Sequence, residues 1–429
     1  MRSIPLSSWL YLAAALVGLW FTKQALWPVR LPALRAIPSF FAGWLTNELA
    51  FHHLAWQAVG TVVFIRFGAL EGWPGWVALG VTAVQWVGLV VLIRRVFASR
   101  RAVQAAVDEV LVHFGEPPEE VDAHTQGVRW GQLVLPLPIR HPAVVRTRGI
   151  TFARSSGVDL QLDVYRHRSK PERRPVILFV HGGAWVISNR NEQGLPLMNE
   201  MAARGWVGVN ADYRLSPWAT FPEQVYDVKR AIAWVRDHAA EIGAEPGFIA
   251  IAGGSAGGHL AALAALTAND ARFQPGFEEA DTSIQACVSF YGVYDLLDRG
   301  GHHGHERFIE LLTHHVMKAS PEEDPERWEA GSPIAQVSAD APPFFVVHGA
   351  ADTLAPVAGA RAFVARLREL SDSPVGYGEL PGTQHAFDVF PSLRTAYVLD
   401  GVATFLQRAW LAWHTVSSGA AGARAAREA

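Results

Sequence analysis

Cysteine is almost absent from this sequence, since Cys287 is the single one among 429 residues. A disulfide within the chain is therefore excluded, and no cysteine cluster offers a metal site. An excess of charge of one sign is also lacking, because 37 Lys and Arg oppose 40 Asp and Glu and leave a net charge of −3. Such a balance is not typical of a nucleic-acid-binding protein. No internal repeat or long low-complexity tract is present.

The most informative stretch is Gly253-Gly254-Ser255-Ala256-Gly257, which fits the pattern G-x-S-x-G. It follows the apolar run 247–252 and precedes the Ala-rich segment 258–268, so it predicts a strand, a sharp glycine turn and a helix. That turn strains the serine backbone and exposes its hydroxyl, while the helix directs its N-terminal amides at the reacting group. We therefore predict Ser255 to be a catalytic nucleophile; an ordinary glycine loop is the alternative.

A serine nucleophile needs a base to take its proton and an acid to orient that base, and in this architecture they follow in the order Ser, acid, His. Residues 344–348 predict a buried strand, and the loop after it carries Asp352. Residues 375–380 predict the last strand, and the next loop ends in His385. We predict Asp352 and His385 as the partners of Ser255, whereas His348, at a strand end, is interpreted as structural. Three other acidic residues follow a strand less directly: Asp340, Glu379 and Asp388.

The reaction also requires donors for an oxyanion. The β-rich run 175–180 is followed by His181-Gly182-Gly183-Ala184-Trp185. Because glycine amides approach a ligand without a Cβ in the way, we predict an oxyanion hole formed by Gly182, Gly183 and Ala256. His181 is interpreted as a loop anchor, and a plain glycine turn is the alternative for the whole segment.

These blocks resemble the hormone-sensitive-lipase-like esterases of the α/β-hydrolase superfamily. The resemblance extends over about residues 145 to 410 and includes the Asp212-Tyr213-Arg214 block, which in that family supports the oxyanion loop. It implies an α/β-hydrolase fold, with a mostly parallel central sheet flanked by helices and a small cap. It also implies a carboxylic ester hydrolase with a Ser-Asp-His triad, no metal and no cofactor. Ala184 stands where the family often has a third glycine, and isoprenylcysteine methylesterases and arylformamidase-like enzymes look similar at this loop.

The remaining features of the catalytic region concern its pocket and its cap. The stretch from Asp295 to Gln336 is irregular and rich in histidine, and we interpret it as a solvated cap rather than a metal site. Four aromatic residues are candidates for the walls of an apolar acyl pocket, with ordinary core packing as the alternative: Trp185, Trp218, Phe221 and Tyr294.

The N-terminal part has a different character. The uncharged apolar run from Gly72 to Ile93 has the length of a membrane-spanning helix, with Trp73 and Trp76 at one end and Arg94-Arg95 at the other. Ser7 to Phe21 predicts an uncleaved second span, because no clear small-residue cleavage site follows it, with a signal peptide as the alternative. Leu49 to Phe67 is a third candidate, for which an interfacial helix is the alternative because it contains histidines and an arginine.

These segments predict a multi-pass protein of a bacterial cell membrane, in contact with the bilayer through residues 1–97. With three spans, the flanking basic residues lie on one side, and the positive-inside rule places the catalytic domain in the cytoplasm. An amphipathic helix and a linker are expected over 98–144, the catalytic domain over 145–412, and a flexible tail over 413–429.

The sequence as a whole thus predicts a membrane-anchored serine carboxylesterase or lipase that hydrolyses lipophilic esters of short to medium acyl chain. Its partners would be a small-molecule or lipid ester and the lipid bilayer, and no nucleic acid. The alternatives are an acyltransferase, a narrow methylesterase or an arylformamidase that uses the same triad. A noncatalytic receptor on the same fold is a further alternative.

Overall fold

The structure is a computed structural model, and it describes residues 3–29, 33–115, 130–137, 139–302 and 306–428. Most of the linker expected between Gly115 and Gln126 therefore lies outside the described residues, as do the histidines at positions 303 and 305.

Eight strands form one central sheet: β1 (Val144–Ser155), β2 (Val158–His167), β3 (Arg174–Val180), β4 (Val207–Ala211), β5 (Ala244–Gly254), β6 (Ala286–Phe290), β7 (Phe344–Gly349) and β8 (Val375–Leu380). Their order across the sheet is β1-β2-β4-β3-β5-β6-β7-β8. The β1–β2 and β2–β4 pairs are antiparallel, and every pair from β4 to β8 is parallel. The four strands expected from the sequence, β3, β5, β7 and β8, are confirmed. The near-continuous apolar character of β3, β5 and β7 follows from burial on both faces of a parallel sheet.

The helices are α1 (Leu6–Leu26), α2 (Ala33–Glu48), α3 (Ala50–Arg66), α4 (Trp73–His113), α5 (Trp130–Val134), α6 (Leu195–Ala203), α7 (Glu223–Asp237), α8 (Ala239–Ile242), α9 (Ala256–Leu266), α10 (Glu306–Leu311), α11 (Pro325–Ala330), α12 (Val357–Leu370) and α13 (Leu393–Glu428). Residues of α7, α9 and α12 share a hydrophobic core with one face of the sheet. Residues of α4, α6 and α13 share a second core with the other face. This sheet covered by helices on both faces is the α/β-hydrolase fold expected from the sequence.

The long helix α4 joins the N-terminal part to the catalytic part. Its C-terminal half buries the stripe that includes Val103, Val107 and Val110 in the second core, as the helical spacing of these residues predicts. The approach to β8 is close, because a Cβ on Gly376 would lie 2.7 Å from a methyl group of Val110. The domain boundary expected at 97/98 therefore falls inside one continuous helix.

Among the described residues, α1 and α4 are long and apolar enough to cross a membrane by length and composition, with mean hydropathies of 1.2 and 2.1 over an 18-residue window of each. Helix α3 covers most of the third candidate segment, whereas α2 is an element that the sequence analysis does not anticipate. At the other end of the chain, α13 continues through 413–428, where a flexible tail is expected.

Candidate active site

Ser255 occupies the turn between β5 and α9, so the predicted strand–turn–helix is confirmed. Its φ of 57° and ψ of −123° define a strained conformation that residues other than glycine rarely adopt. Glycine is required on both sides of the turn. A Cβ on Gly253 would lie 2.2 Å from the Gly257 carbonyl oxygen, and a Cβ on Gly257 would lie 2.0 Å from that of Val180. The amide of Ser255 donates to the carbonyl oxygen of Phe290 at 2.9 Å, which ties the turn to β6.

The acidic and basic candidates lie together in the loops after β7 and β8. Nδ1 of His385 and Oδ2 of Asp352 are 2.7 Å apart. The other carboxylate oxygen of Asp352 accepts hydrogen bonds from the amides of Leu354 and Ala355, both at 2.8 Å. Since the carboxyl ends of parallel strands meet at one edge of the sheet, this pair lies at the same edge as Ser255. The carboxylate is therefore held in one orientation, with one oxygen directed at the imidazole.

A second histidine also contacts Asp352. The fully buried His348 has Nε2 3.3 Å from Oδ2 of Asp352 and 2.7 Å from the carbonyl oxygen of Ala355. Burial by itself would raise the pKa of Asp352, but the charge of His385 and the hydrogen bonds from the two imidazoles lower it by more. The net pKa of the carboxyl group lies below its ordinary value, so Asp352 is ionised at neutral pH. His348 is placed at the end of β7 beside the acid, where its packing is that of a structural residue.

The glycine loop after β3 was expected to supply oxyanion-hole donors, and one of them, Gly182, is engaged elsewhere. The amide of Gly182 donates to Oε1 of Gln193 at 2.8 Å. That bond occupies a donor that was expected to belong to the oxyanion hole, so Gly182 is not free to bind an oxyanion in this structure. Gly183 follows with a φ of 111°, in the region that favours glycine. Ala256 opens α9, and its amide has no acceptor within the helix.

Side chains from two distant segments, Tyr213 and His259, fasten this loop. The ring of Tyr213 stacks on His181 at 4.4 Å, and its hydroxyl donates to the His181 carbonyl oxygen at 3.2 Å. The indole of Trp185 donates to Nδ1 of His259 at 3.2 Å, and Nε2 of His259 lies 2.7 Å from the carbonyl oxygen of Gly331. Burial lowers the pKa of His259 to about 4, so the imidazole is neutral and its Nδ1 accepts the indole proton. The contacts of Tyr213 agree with the supporting role that the resemblance implies.

The four pocket candidates are not placed alike. Phe221 and Tyr294 are buried in the core beside the sheet, and Tyr294 stacks on Phe363 at 4.2 Å. Trp185 is buried as well, whereas Trp218 is 92% exposed. For the three buried residues, this environment agrees with the alternative of ordinary core packing.

The predicted cap contains α10, α11 and the short helix Leu312–Met317 between them. Within the described ranges, no group of three or more His, Cys, Asp or Glu side chains is placed to hold a metal ion. His314 and His315 lie in the short helix.

Several residues around His385 have contacts that the local sequence does not indicate. Oε1 of Gln384 accepts hydrogen bonds from the amides of Thr353 and His385, at 2.8 and 2.9 Å, and so joins the two loops. The ring of Tyr291 lies 4.5 Å from the imidazole, and its hydroxyl donates to Asp388. Nothing in the local sequence around Tyr291 indicates these contacts, because they connect segments that are far apart in the chain.

Helix α2 also reaches the loop that carries His385. The indole of Trp44 donates to the Ala386 carbonyl oxygen at 2.8 Å, and the amide of Asn47 donates to that of Gly382 at 2.8 Å. The Phe40 ring lies 6.4 Å from the imidazole in an edge-to-face arrangement. The i, i+4 spacing of Phe40 and Trp44 is the signal that could have indicated a helix here.

Together, a largely parallel sheet, a serine in a strained turn between strand and helix, and an Asp–His pair on later loops define an α/β hydrolase.

The BD-FAE family matches residues 162–367. The esterase LipQ of Mycobacterium tuberculosis is 42% identical over 72% of this chain and 75% of LipQ. The probable carboxylic ester hydrolase LipM of the same organism is 50% identical over 57% of this chain and 56% of LipM, so the aligned part spans little more than half of that relative. The chain belongs to this esterase family of the α/β hydrolases.

A solved structure supports the same assignment. The esterase of Thermogutta terrifontis with bound butyrate superposes with a TM-score of 0.53 and 28% identity, covering 62% of this chain and 94% of that chain. The probable isoprenylcysteine alpha-carbonyl methylesterase ICMEL1 of Oryza sativa is 31% identical over 49% of this chain and 50% of ICMEL1. The resemblances to esterases and to methylesterases of this type are therefore both confirmed.

Proposed function

We propose that the protein is a membrane-anchored serine carboxylesterase that hydrolyses lipophilic esters of short to medium acyl chain. The observation that carries this proposal is the strained turn of Ser255 combined with the 2.7 Å contact between His385 and the buried Asp352. The names of the relatives support ester hydrolysis, and the butyrate bound to the Thermogutta terrifontis esterase supports a short acyl group.

The reaction is a two-step acyl transfer through Ser255. Nε2 of His385 takes the hydroxyl proton as the serine oxygen attacks the carbonyl carbon, and Asp352 holds the proton on Nδ1 and stabilises the imidazolium. The tetrahedral intermediate then collapses, the bond to the alcohol oxygen breaks, and the alcohol leaves with the proton from His385. Water attacks the acyl-enzyme and gives a proton to His385, which returns it to the serine oxygen as the carboxylic acid departs.

The oxyanion is assigned to the amides of Gly183 and Ala256. Gly182, the third predicted donor, is left out of the assignment because its amide is bound to Gln193 at 2.8 Å. Ala256 lies at the N-terminus of the eleven-residue helix α9, whose dipole also favours negative charge at this point. Loss of one such donor lowers kcat by roughly 10²–10³ in comparable enzymes.

The test of the serine mechanism is hydrolysis of p-nitrophenyl esters, from acetate to palmitate, by the wild type and by Ser255→Ala in detergent. We expect the variant to be folded and inactive, and Ser169→Ala, at an exposed position between β2 and β3, to be as active as the wild type. A folded Ser255→Ala protein with wild-type activity would refute the assignment. Transfer of the acyl group to an added alcohol would favour an acyltransferase. A wild type that is inactive on every ester would favour a narrow methylesterase, a formamidase or a receptor.

The membrane anchor is proposed from the apolar lengths of α1 and α4. If α3 also spans, Lys23 at the end of α1 and Arg94-Arg95 in α4 lie on one side of the bilayer, which places the catalytic part in the cytoplasm. Substrates that partition into lipid would then reach the enzyme from the bilayer. We expect faster hydrolysis of a long-chain ester when ester and enzyme share a vesicle than when they are in separate vesicles. Equal rates would contradict this.

A further inference from the structure

We propose that helix α2 of the N-terminal region belongs to the working active site, because Trp44 and Asn47 position the loop that carries His385. This inference rests on the proposed esterase function, in which His385 is the base. It assigns to the N-terminal region a part in catalysis in addition to membrane attachment.

The two hydrogen bonds from α2 end on either side of the catalytic histidine. Trp44 donates to the carbonyl oxygen of Ala386, one residue after His385, and Asn47 donates to that of Gly382, three residues before it. Ala386 has a φ of 56°, which is unfavourable for a residue with a Cβ and persists only when the surroundings hold it. The indole of Trp44 supplies such a restraint at the carbonyl oxygen of this residue.

Aromatic packing holds the indole itself in place. The ring of Trp44 stacks on Phe40 at 5.7 Å and contacts Phe390 at 5.3 Å, so it connects α2 to the segment just before α13. The imidazole of His385 contacts one ring from each part of the protein, Phe40 at 6.4 Å and Tyr291 at 4.5 Å. A shift of α2 would therefore move Phe40, one of the two rings on which the imidazole packs.

The end of α2 is anchored independently of these contacts. Glu48 forms an ion pair with Arg394, at the start of α13, and both side chains are fully shielded from solvent. Ser392 donates to the second oxygen of Glu48 at 3.2 Å. Because this anchor fixes the helix against the end of the same connection that carries His385, α2 has a defined position from which to restrain the loop.

The consequence for catalysis is geometric. The base must lie within hydrogen-bond reach of the serine hydroxyl, and a misplacement of about 1 Å can lower the rate by about 10²-fold. The hydrogen bond that the Thr353 amide donates to Oε1 of Gln384 restrains the loop only from the catalytic side. Removing either bond from α2 should therefore lower kcat while leaving the binding of the ester, and so KM, nearly unchanged.

The experiment compares Trp44→Phe with Trp76→Phe in the full-length protein in detergent. Trp76 is a matched control because its indole also donates to a backbone carbonyl oxygen in the N-terminal region, that of Leu70 at 3.0 Å. Concentrations are corrected by titrating Ser255 with an organophosphate, so that kcat refers to folded, reactive enzyme only. We expect kcat of Trp44→Phe to fall between about tenfold and about a hundredfold with KM unchanged, and Trp76→Phe to match the wild type.

A second variant, Asn47→Asp, removes the side-chain N–H group that donates to the Gly382 carbonyl oxygen. It keeps the side-chain oxygen that accepts a hydrogen bond from Arg394 at 3.3 Å. We expect the same fall in kcat without a change in KM. Wild-type kcat per titrated site in both variants would overturn the positioning role while leaving the esterase assignment intact. If the proposed function is itself wrong, the wild type will hydrolyse no ester or will not depend on Ser255, so the two failures are distinguishable.

Discussion

Replacing Glu48 with glutamine would remove the charge from the ion pair between α2 and α13 and leave its shape almost unchanged. The guanidinium of Arg394 would then remain buried, with both side chains shielded from solvent as in the wild type. Its other contacts are neutral, namely the Ser99 hydroxyl at 3.3 Å and the Asn47 amide oxygen at 3.3 Å. None of these offsets the cost of an unpaired charge out of contact with water.

The expected magnitude follows from this burial. Removing one partner of a buried ion pair costs about 3–5 kcal/mol, which corresponds to roughly a hundredfold to several thousandfold in the unfolding equilibrium. Replacing both partners, as in Glu48→Leu with Arg394→Met, should cost far less or even stabilise the protein, because apolar groups of similar volume need no compensation.

The assay is equilibrium unfolding by urea in a mild detergent, followed by tryptophan fluorescence, for Glu48→Gln and for the double variant. The control is Glu369→Gln, which breaks the exposed pair with Arg366, whose side chains are 64% and 43% accessible. Such a pair contributes only about 0–1 kcal/mol. If Glu48→Gln loses no more free energy of unfolding than the control, the burial of this pair and the docking of α2 are both refuted.

Three further results are expected. Asp352→Asn should lower kcat by about 10⁴ with the fold intact, because the imidazole loses its orienting carboxylate, and unchanged ester turnover would contradict that role. For His259, the pKa is about 4 when folded and about 6.5 when unfolded, so protons bind first to the unfolded chain. Stability should fall as the pH drops through that interval, and His259→Gln should flatten the curve of unfolding free energy against pH; parallel curves would argue otherwise. Gly257→Ala should cost about 1–3 kcal/mol in thermal unfolding, since its Cβ would lie 2.0 Å from the Val180 carbonyl oxygen. Gly359→Ala, with open space around its Cβ, should not destabilise.

Local sequence was sufficient to predict the parts of the fold in which neighbouring residues decide the structure. The apolar runs that form β3, β5 and β7 are strands covered on both faces of the sheet, and such strands need no alternation of polar residues. The turn at Ser255 follows from glycines at fixed offsets, and the loops with Asp352 and His385 follow from strand ends. The contact of 2.7 Å between the two partners could be expected because parallel strands bring their carboxyl ends to one edge.

The antiparallel hairpin of β1 and β2 could not be predicted from apolar runs. Strand β1 contains both polar and apolar residues and is more exposed than the central strands. The boundary expected at 97/98 lies within the continuous helix α4. An apolar membrane-type run and an amphipathic stripe differ in composition, but α4 joins them as a continuous helix because nothing between them breaks the backbone pattern.

Tertiary structure alone decided which polar groups from distant segments form hydrogen bonds with each other. The amide of Gly182 binds Gln193, and α2 binds the loop of His385, through contacts that no local pattern encodes. Trp44 and Ala386 are 342 positions apart in the chain, so only the docking of α2 beside α13 brings them together. The sequence by itself was sufficient to predict the type of catalytic chemistry, because that prediction depends on residue type and local turn geometry. The packing of distant segments determined which amides remain free and what holds the histidine in place.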